Sequence, residues 1–262
     1  MKKLIGGVIA GAALAFAAMT AQAADTVKIG VAAEPYPPYS SKDASGTWVG
    51  WEIDLYKAVC KEEGLDCQLV EVAWDGIIPA LQEKKIDVIW SSMTITDKRK
   101  EVIDFTQFYY DAPTVEIGAK SDDTKIDFGS ADSVKGKIFG VQTATIHADY
   151  VQKYFGSAAE VKLYDTLDNA LADLKAGRID YVQEGRTSLA PFLAANPDFE
   201  EKAICPQDPL LGYGVGGGVR KDDTALRDKL SDGIKKVVQS GDYDKITAKY
   251  PELEGQLVMP SF

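Results

Sequence analysis

The chain alternates short β-branched runs with helix-patterned segments, and it does so in two series separated by a break. In the first, VKIGVAA (27–33), CQLVEVA (67–73) and IDVIW (86–90) read as strands. Between them WEIDLYKAVCKEEG (51–64) reads as a helix with Ile53, Tyr56, Val59 and Cys60 on one face, and WDGIIPALQEKK (74–85) as a short helix. In the second, GKIFGVQ (136–142), EVKLYD (160–165) and IDYVQE (179–184) are strands, separated by the helical TIHADYVQKYF (145–155) and TLDNALADLKAG (166–177). Such alternation predicts an α/β fold with mainly parallel sheets flanked by helices.

Two extended stretches punctuated by Gly and Pro, YDAPTVEIGAKSDD (110–123) and PLLGYGVGGGVRKDD (209–223), carry the chain between the series and back. The organisation predicted is one lobe over 24–113, a second over 114–209, and a return to the first over 210–262. There Leu226, Leu230, Ile234 and Val237 stripe the first of two closing helices. Two lobes joined by a two-strand hinge, with hinge points expected near Thr114 to Gly118 and Leu210 to Gly214, would face each other across a cleft. Open α/β sheets bind ligands at the carboxyl ends of their strands, so the cleft is the expected site.

The first 23 residues have the parts of a secretory signal: Lys2 and Lys3, the apolar LIGGVIAGAALAFAAM, and small residues ending at Ala23. The run is short, broken by Gly6, Gly7 and Gly11, and no cysteine follows it to carry a lipid, so cleavage rather than anchoring is expected, with export to the periplasm. The formal charge of −11 disfavours nucleic acid and anionic membrane surfaces as partners. In an exported chain Cys60 and Cys67 read as a small disulfide loop, the alternative being two unpaired core thiols. Cys205 is left over as a buried spectator.

The stretch SSMTITDKRKEVIDF (91–105) places the hydroxyls of Ser91, Ser92, Thr94 and Thr96 ahead of Lys98, Arg99 and Lys100. With Thr96 capping a helix, Ser91 to Ile95 form a loop at the rim of the sheet. Hydroxyls and helix N-terminal amides there favour an anion, and the planar fork of Arg99 matches a carboxylate. Lys98 and Lys100 read as solvated. Of the nearby rings Tyr36, Tyr39, Trp51 and Trp74, the loop positions of Tyr36 and Trp74 after predicted strands suit a clamp on a ligand side chain.

The segments YPPYSSKDASGTWVGWEIDL, WDGIIPALQEKKIDVIWSSMTITDKRKEVIDF, GVQTATIHADY, LKAGRIDYV and GGGVRKDDTALRDKLSDGIKK, in that order, resemble the periplasmic solute-binding proteins of polar amino-acid ABC transporters. The chain is similar to the lysine/arginine/ornithine-binding and opine-binding members over essentially all of its mature length. The resemblance implies a monomeric two-lobed binder that closes on a polar amino acid, opine or related derivative and docks on an inner-membrane permease. It implies that Arg99 grips the α-carboxylate, that Ser92 and Thr94 help hold carboxylate and ammonium, and that Tyr36 and Trp74 sandwich the side chain. It also matches Cys60 with Cys67, and Glu52 with an acid that approaches basic ligand side chains in some members.

The second lobe departs from the family pattern. The usual Asp that pairs with the ligand ammonium falls at Gly185; with a one-residue gap Glu184 takes its place, and without one the acid is missing beside Arg186. In TATIHAD a usual hydroxyl position is Ile146, leaving Thr143 and Thr145 as substitutes, and His147 reads as a surface residue at a helix start, the alternative being a hydrogen-bond donor to an unusual ligand side chain. An amino-acid derivative with a substituted amine or an acidic second group would suit an Arg186 facing the cleft.

The expected activity is binding without chemistry. The alternative is an enzyme resembling cyclohexadienyl dehydratases, with Glu184 as general acid and Arg99 holding the substrate, although QTATIH lacks the Asn- and Gly-rich stretch of those enzymes. A receptor's ligand-sensing module is a third reading. No metal or cofactor is expected: the chain has one histidine and no carboxylate loop of ligand spacing, and GYGVGGG precedes no Lys-Ser/Thr. Its glycines read instead as room for a strand to pass close to its neighbours.

Overall fold

The computed structural model describes residues 26–262, so the signal-peptide reading of 1–23 lies outside the described residues. The first series builds β1 (Thr26–Ala32), the short pair β2 (Ser41–Lys42) and β3 (Trp48–Val49), α1 (Trp51–Glu62), β4 (Asp66–Val72), α2 (Ile77–Gln82), β5 (Val88–Ile89), the single turn α3 (Asp97–Lys100) and β6 (Asp104–Tyr110). The second builds β7 (Thr114–Ala119), β8 (Ile138–Gln142), α4 (Ile146–Tyr154), β9 (Glu160–Tyr164), α5 (Leu167–Lys175), β10 (Tyr181–Gly185), α6 (Arg186–Ala195) and β11 (Phe199–Ile204). The chain then returns through β12 (Val215–Val219), α7 (Thr224–Gln239) and α8 (Asp242–Thr247).

Each lobe is one five-stranded sheet. The first has the order β4-β1-β5-β12-β6, with β1 parallel to β4 and β5 and with β12 antiparallel to both its neighbours. The second has the order β11-β7-β10-β8-β9, with β8 parallel to β9 and β10 and with β7 antiparallel to both its neighbours. In each sheet four strands therefore run one way and one strand opposes them. The odd strands, β7 and β12, are those the chain enters after crossing between lobes.

Thr114 to Gly118, expected at a hinge, is paired on both sides within β7, so the outbound crossing is the preceding Asp111–Pro113. The return crossing ends in Gly212 and Gly214, with φ of +80° and +87°. A Cβ on Gly212 would stand 2.5 Å from the Ile95 carbonyl oxygen, which only glycine avoids. The glycine run of β12 passes equally close to its neighbours: a Cβ on Gly216 would meet the Ile95 side chain at 2.9 Å.

The first lobe packs around rings, with Trp90 stacked on Tyr109 at 4.5 Å and Trp51 edge-on to Tyr110 at 5.3 Å. Trp51, one of the rings near the expected cleft, is thus core. The second lobe has two smaller cores. One lies under α5, where Leu167, Ala170, Leu171 and Leu174 are all buried, and the other under α4 around Phe139 and Phe155. Cys60 and Cys67 form a disulfide joining the end of α1 to the start of β4. Cys205 is free and buried.

Three elements carry no clear sequence period. α6 contains Pro191, β11 carries the charged run Glu200–Lys202 and is half-buried, and β6 follows the capped turn too closely to stand out.

Candidate functional site

The carboxyl ends of β1, β4 and β5 in one lobe and of β8 and β10 in the other converge on a cavity between the lobes. The lobes touch around it. The Tyr36 hydroxyl donates to Glu184 Oε1 at 2.9 Å, the Tyr39 and Thr187 hydroxyls are 2.6 Å apart, and Lys98 Nζ is 2.8 Å from Asp149 at the rim.

The first lobe's wall is built on the loop after β5. Ser91 Oγ accepts the Ala32 N–H at 2.9 Å, tying that loop to the end of β1. Ser92 takes a left-handed φ of +50°, a strained choice for a residue with a Cβ. Glu52 holds it there: its carboxylate accepts the Ser92 N–H at 2.8 Å and the Ser92 hydroxyl at 2.7 Å, and the Tyr109 hydroxyl as well. Burial pushes the Glu52 carboxyl up, against these three donors. Glu52 is fully buried and does not line the cavity, so its place is behind Ser92 and not against a ligand side chain.

Thr96 caps α3 by accepting the Arg99 N–H at 3.2 Å. With only four residues, α3 offers little helix dipole, and the charge at the rim comes from the Arg99 guanidinium. Arg99 Nη1 donates to the Thr94 carbonyl at 2.9 Å, and its guanidinium carbon lies 5.6 Å from the centre of the Trp74 ring. No carboxylate of the described residues pairs with it. Burial lowers its pKa to about 10, partly offset by Asp149, so it remains a cation at neutral pH. A half-buried cation that no carboxylate of the described residues neutralises is costly, and an anionic ligand removes that cost.

The second lobe contributes Gln142, Thr145, Ile146, His147 and Glu184. Thr145 spends its hydroxyl on its own backbone, donating to the Gln142 carbonyl at 2.7 Å and accepting the Ala148 N–H at 3.1 Å as the α4 cap. Thr143 is half-buried and does not line the cavity. Glu184 Oε1 meets three groups: the Gly185 N–H at 2.7 Å, the Tyr36 hydroxyl, and His147 Nε2 at 2.7 Å. No donor of the described residues reaches Oε2. Burial alone would raise the Glu184 carboxyl, but the His147 charge and hydrogen bond, with Gly185 and Tyr36, hold it below the usual range.

One expectation needs correction, and one open alternative is decided. His147 is buried, 7% exposed, with its ring between the cavity and the lobe interior, and is not a surface residue. Arg186 turns away from the cavity into a bidentate pair with Glu201, at 2.9 and 2.8 Å. Of the ten expected contacts, Tyr36, Trp74, Ser91, Ser92, Thr94, Arg99, Thr145 and Glu184 line the cavity, whereas Glu52 and Thr143 do not. Glu34 lines it unforeseen; its carboxylate accepts the Trp74 N–H at 3.1 Å, which sets it beside the clamp ring.

Residues 27–252 match the family described as bacterial extracellular solute-binding proteins, family 3. The chain belongs to this family. Like its relatives in family 3 it is a periplasmic solute-binding protein. It is 36% identical over 253 residues to the ABC transporter arginine-binding protein 1 of Escherichia coli K12, covering 95% of this chain and 99% of that one. It is 36% identical over 244 residues to the histidine-binding periplasmic protein of Salmonella typhimurium, covering 90% and 93%. Among solved structures, an ancestral arginine-binding protein bound to arginine superposes with a TM-score of 0.78 at 33% identity, covering 86% of this chain and 97% of the other.

Proposed function

We propose that this family 3 protein captures a cationic amino acid, arginine or a close relative, for an ABC importer and performs no chemistry on it. The observation that carries this is the charge arrangement of the cavity. One unpaired guanidinium, Arg99, shares it with two carboxylates, Glu184 and Glu34, and with the faces of Tyr36 and Trp74. An α-carboxylate on Arg99, an α-ammonium on Glu184 Oε2 and a second cation near Glu34 neutralise that set. An acidic or amine-blocked derivative would leave at least one carboxylate unmatched, and with Arg186 paired to Glu201 nothing in the cavity favours one. The names of the relatives above point the same way.

Capture works by closure. Lobes 24–113 with 210–262 and 114–209 rotate about Asp111–Pro113 and the Gly212–Gly214 stretch, and the ligand stabilises the closed state because only there do Arg99 and Glu184 both reach it. The closed, liganded monomer is the form presented to the permease.

The experiment is calorimetric titration of ligand-stripped, refolded mature protein with arginine, ornithine, lysine, histidine, glutamine, octopine and prephenate, followed by recovery of each binder. Tight binding of arginine or another basic amino acid, recovered intact, is expected. Preference for octopine or for neutral glutamine overturns the cationic reading, and consumption of prephenate overturns the binder.

A further inference from the structure

Two hydroxyls on the wall of the ligand cavity each give their one proton to a glutamate. The Tyr36 hydroxyl donates to Glu184 Oε1 at 2.9 Å, and the Ser92 hydroxyl donates to Glu52 Oε2 at 2.7 Å. A hydroxyl carries one proton and two lone pairs, so both oxygens are left with only lone pairs to offer a ligand. Both residues share a wall with Glu184. Tyr36, Ser92 and Glu184 line the ligand cavity and also a second cavity on its hinge side, which Asp111, Ala112 and Thr114 help to line. An ammonium brought to Glu184 Oε2 meets acceptors on that wall, while the Arg99 donors remain for the carboxylate.

The Ser92 proton is directed from behind. Glu52 is fully buried, lines neither cavity, and takes hydrogens from three groups. The Ser92 N–H, at 2.8 Å, and the Tyr109 hydroxyl reach Oε1, and the Ser92 hydroxyl reaches Oε2. Tyr109 is itself fixed, fully buried and stacked on Trp90 at 4.5 Å. With its left-handed φ of +50°, Ser92 turns both its N–H and its hydroxyl back to one carboxylate. We propose that Glu52 is a positioning residue for amine recognition: by drawing the Ser92 proton away from the cavity, it makes Ser92 Oγ an acceptor for the ligand α-ammonium. This rests on Glu184 receiving that ammonium, as proposed above.

The amide of the same shape reverses that one hydroxyl and little else. Glu52→Gln puts one acceptor oxygen and one NH2 group where the carboxylate had two acceptors. The Ser92 N–H can only donate and it faces Oε1, so the amide oxygen takes that place and the amide nitrogen takes the place of Oε2. There the nitrogen donates to Ser92 Oγ, and the Ser92 proton has to turn elsewhere. The backbone tie that holds Ser92 in its left-handed turn survives. What changes is the polarity of a hydroxyl on the cavity wall, from acceptor to donor, against a ligand group that can only donate.

The test is a double-mutant cycle of Glu52→Gln and Ser92→Ala, read by calorimetric titration of the ligand-stripped mature proteins with arginine at neutral pH. Glu52→Gln should weaken arginine roughly tenfold or more, the scale of one hydrogen bond to a charged group. In the Ser92→Ala background, where no hydroxyl remains to turn, the same substitution should change affinity by less than about twofold. A merely structural tie acts through the Ser92 N–H, and the Glu52 charge acts through space. Neither needs the hydroxyl, so losses that simply add overturn the proposal, and so does an unchanged affinity in Glu52→Gln. Arginine without its α-amine, 5-guanidinopentanoate, should keep its affinity within about twofold in each single variant; a loss equal to that of arginine overturns the proposal as well. Should Glu52→Gln not fold, Ser92→Ala against these two ligands decides on the same terms. If arginine does not bind the wild type, the cationic reading falls, and the cycle is run with the amino acid that does bind and its des-amino form, such as glutamine and glutaramate. If no amino acid binds, both fall.

Discussion

The Arg99 guanidinium lies 5.6 Å from the Trp74 ring and pairs with no carboxylate of the described residues, although it lines a cavity where Glu34 and Glu184 are also found. That fork is left free for something from outside. Arg99→Ala should weaken arginine binding by about 2 to 5 kcal/mol, roughly thirty-fold or more, as expected when one partner of a buried charge pair is truncated. Arg99→Lys should recover only part of this, because an ammonium cannot make two parallel bonds to a carboxylate. Near-wild-type calorimetric affinity in Arg99→Ala would remove Arg99 from the site.

Glu34 is the test of selectivity. Half-buried beside Trp74, it is the acid placed to meet a second cation on the ligand. Glu34→Gln should cost arginine roughly tenfold or more in affinity, the scale of a lost charge-assisted hydrogen bond, and leave glutamine nearly unchanged. Competition of the two ligands against each variant measures the ratio. Equal losses for both would mean that Glu34 only positions Trp74.

The disulfide should matter for stability and not for binding. It closes a loop of separation seven at the end of α1 and the start of β4, the edge of the first sheet away from the carboxyl-end cavity. Closing so short a loop is worth about 2 kcal/mol through the unfolded chain. Reduction, or the Cys60→Ser/Cys67→Ser double variant, should lower the melting temperature by roughly 4 to 8 °C at this chain size. Arginine affinity at 25 °C should stay within about twofold of wild type, since no contact to the cavity is lost. A large loss of affinity with an unchanged melting temperature would reverse both assignments.

How much of this was legible before the structure depends on how local each signal is. The two β/α series, the Thr96 cap and the apolar stripe of α5 are set by spacing within a few residues, and the structure carries them. The strands β6 and β11 and the Pro-containing α6 have no such period. The same divide runs through the site. Tyr36 and Trp74 closely follow the strands β1 and β4, and Arg99 sits on the capped turn α3 beyond β5, so their approach to a cleft follows from the sheet. Glu52 lies in the first turn of α1, and whether it meets a ligand or the Ser92 backbone is decided by a loop 40 residues away. Glu34 and His147 carry no local mark: nothing singles out an acid before a proline, and a histidine at a helix start reads as surface although its own lobe buries it. The direction of Arg186 was open for a related reason, because its partner Glu201 comes from β11, a strand the sequence does not announce.

Glu116, buried on β7, leaves a trace in the pH dependence of stability. Burial raises its folded-state pKa from the ordinary 4.5 to about 7, so between those values the folded protein keeps a proton that the unfolded chain has released. The stabilisation from that proton is fully present below about pH 4.5 and is lost as pH rises through about 7, above which the difference is constant. Gln at this position cannot titrate and still offers an oxygen to Gln183 Nε2. Glu116→Gln should therefore match wild type near pH 4.5 and exceed it at pH 8 by up to about 3 kcal/mol. Urea unfolding across this range measures the gap. A gap that widens towards acid would mean that the carboxyl is held charged in the fold, as it would be if the His147 charge outweighed burial.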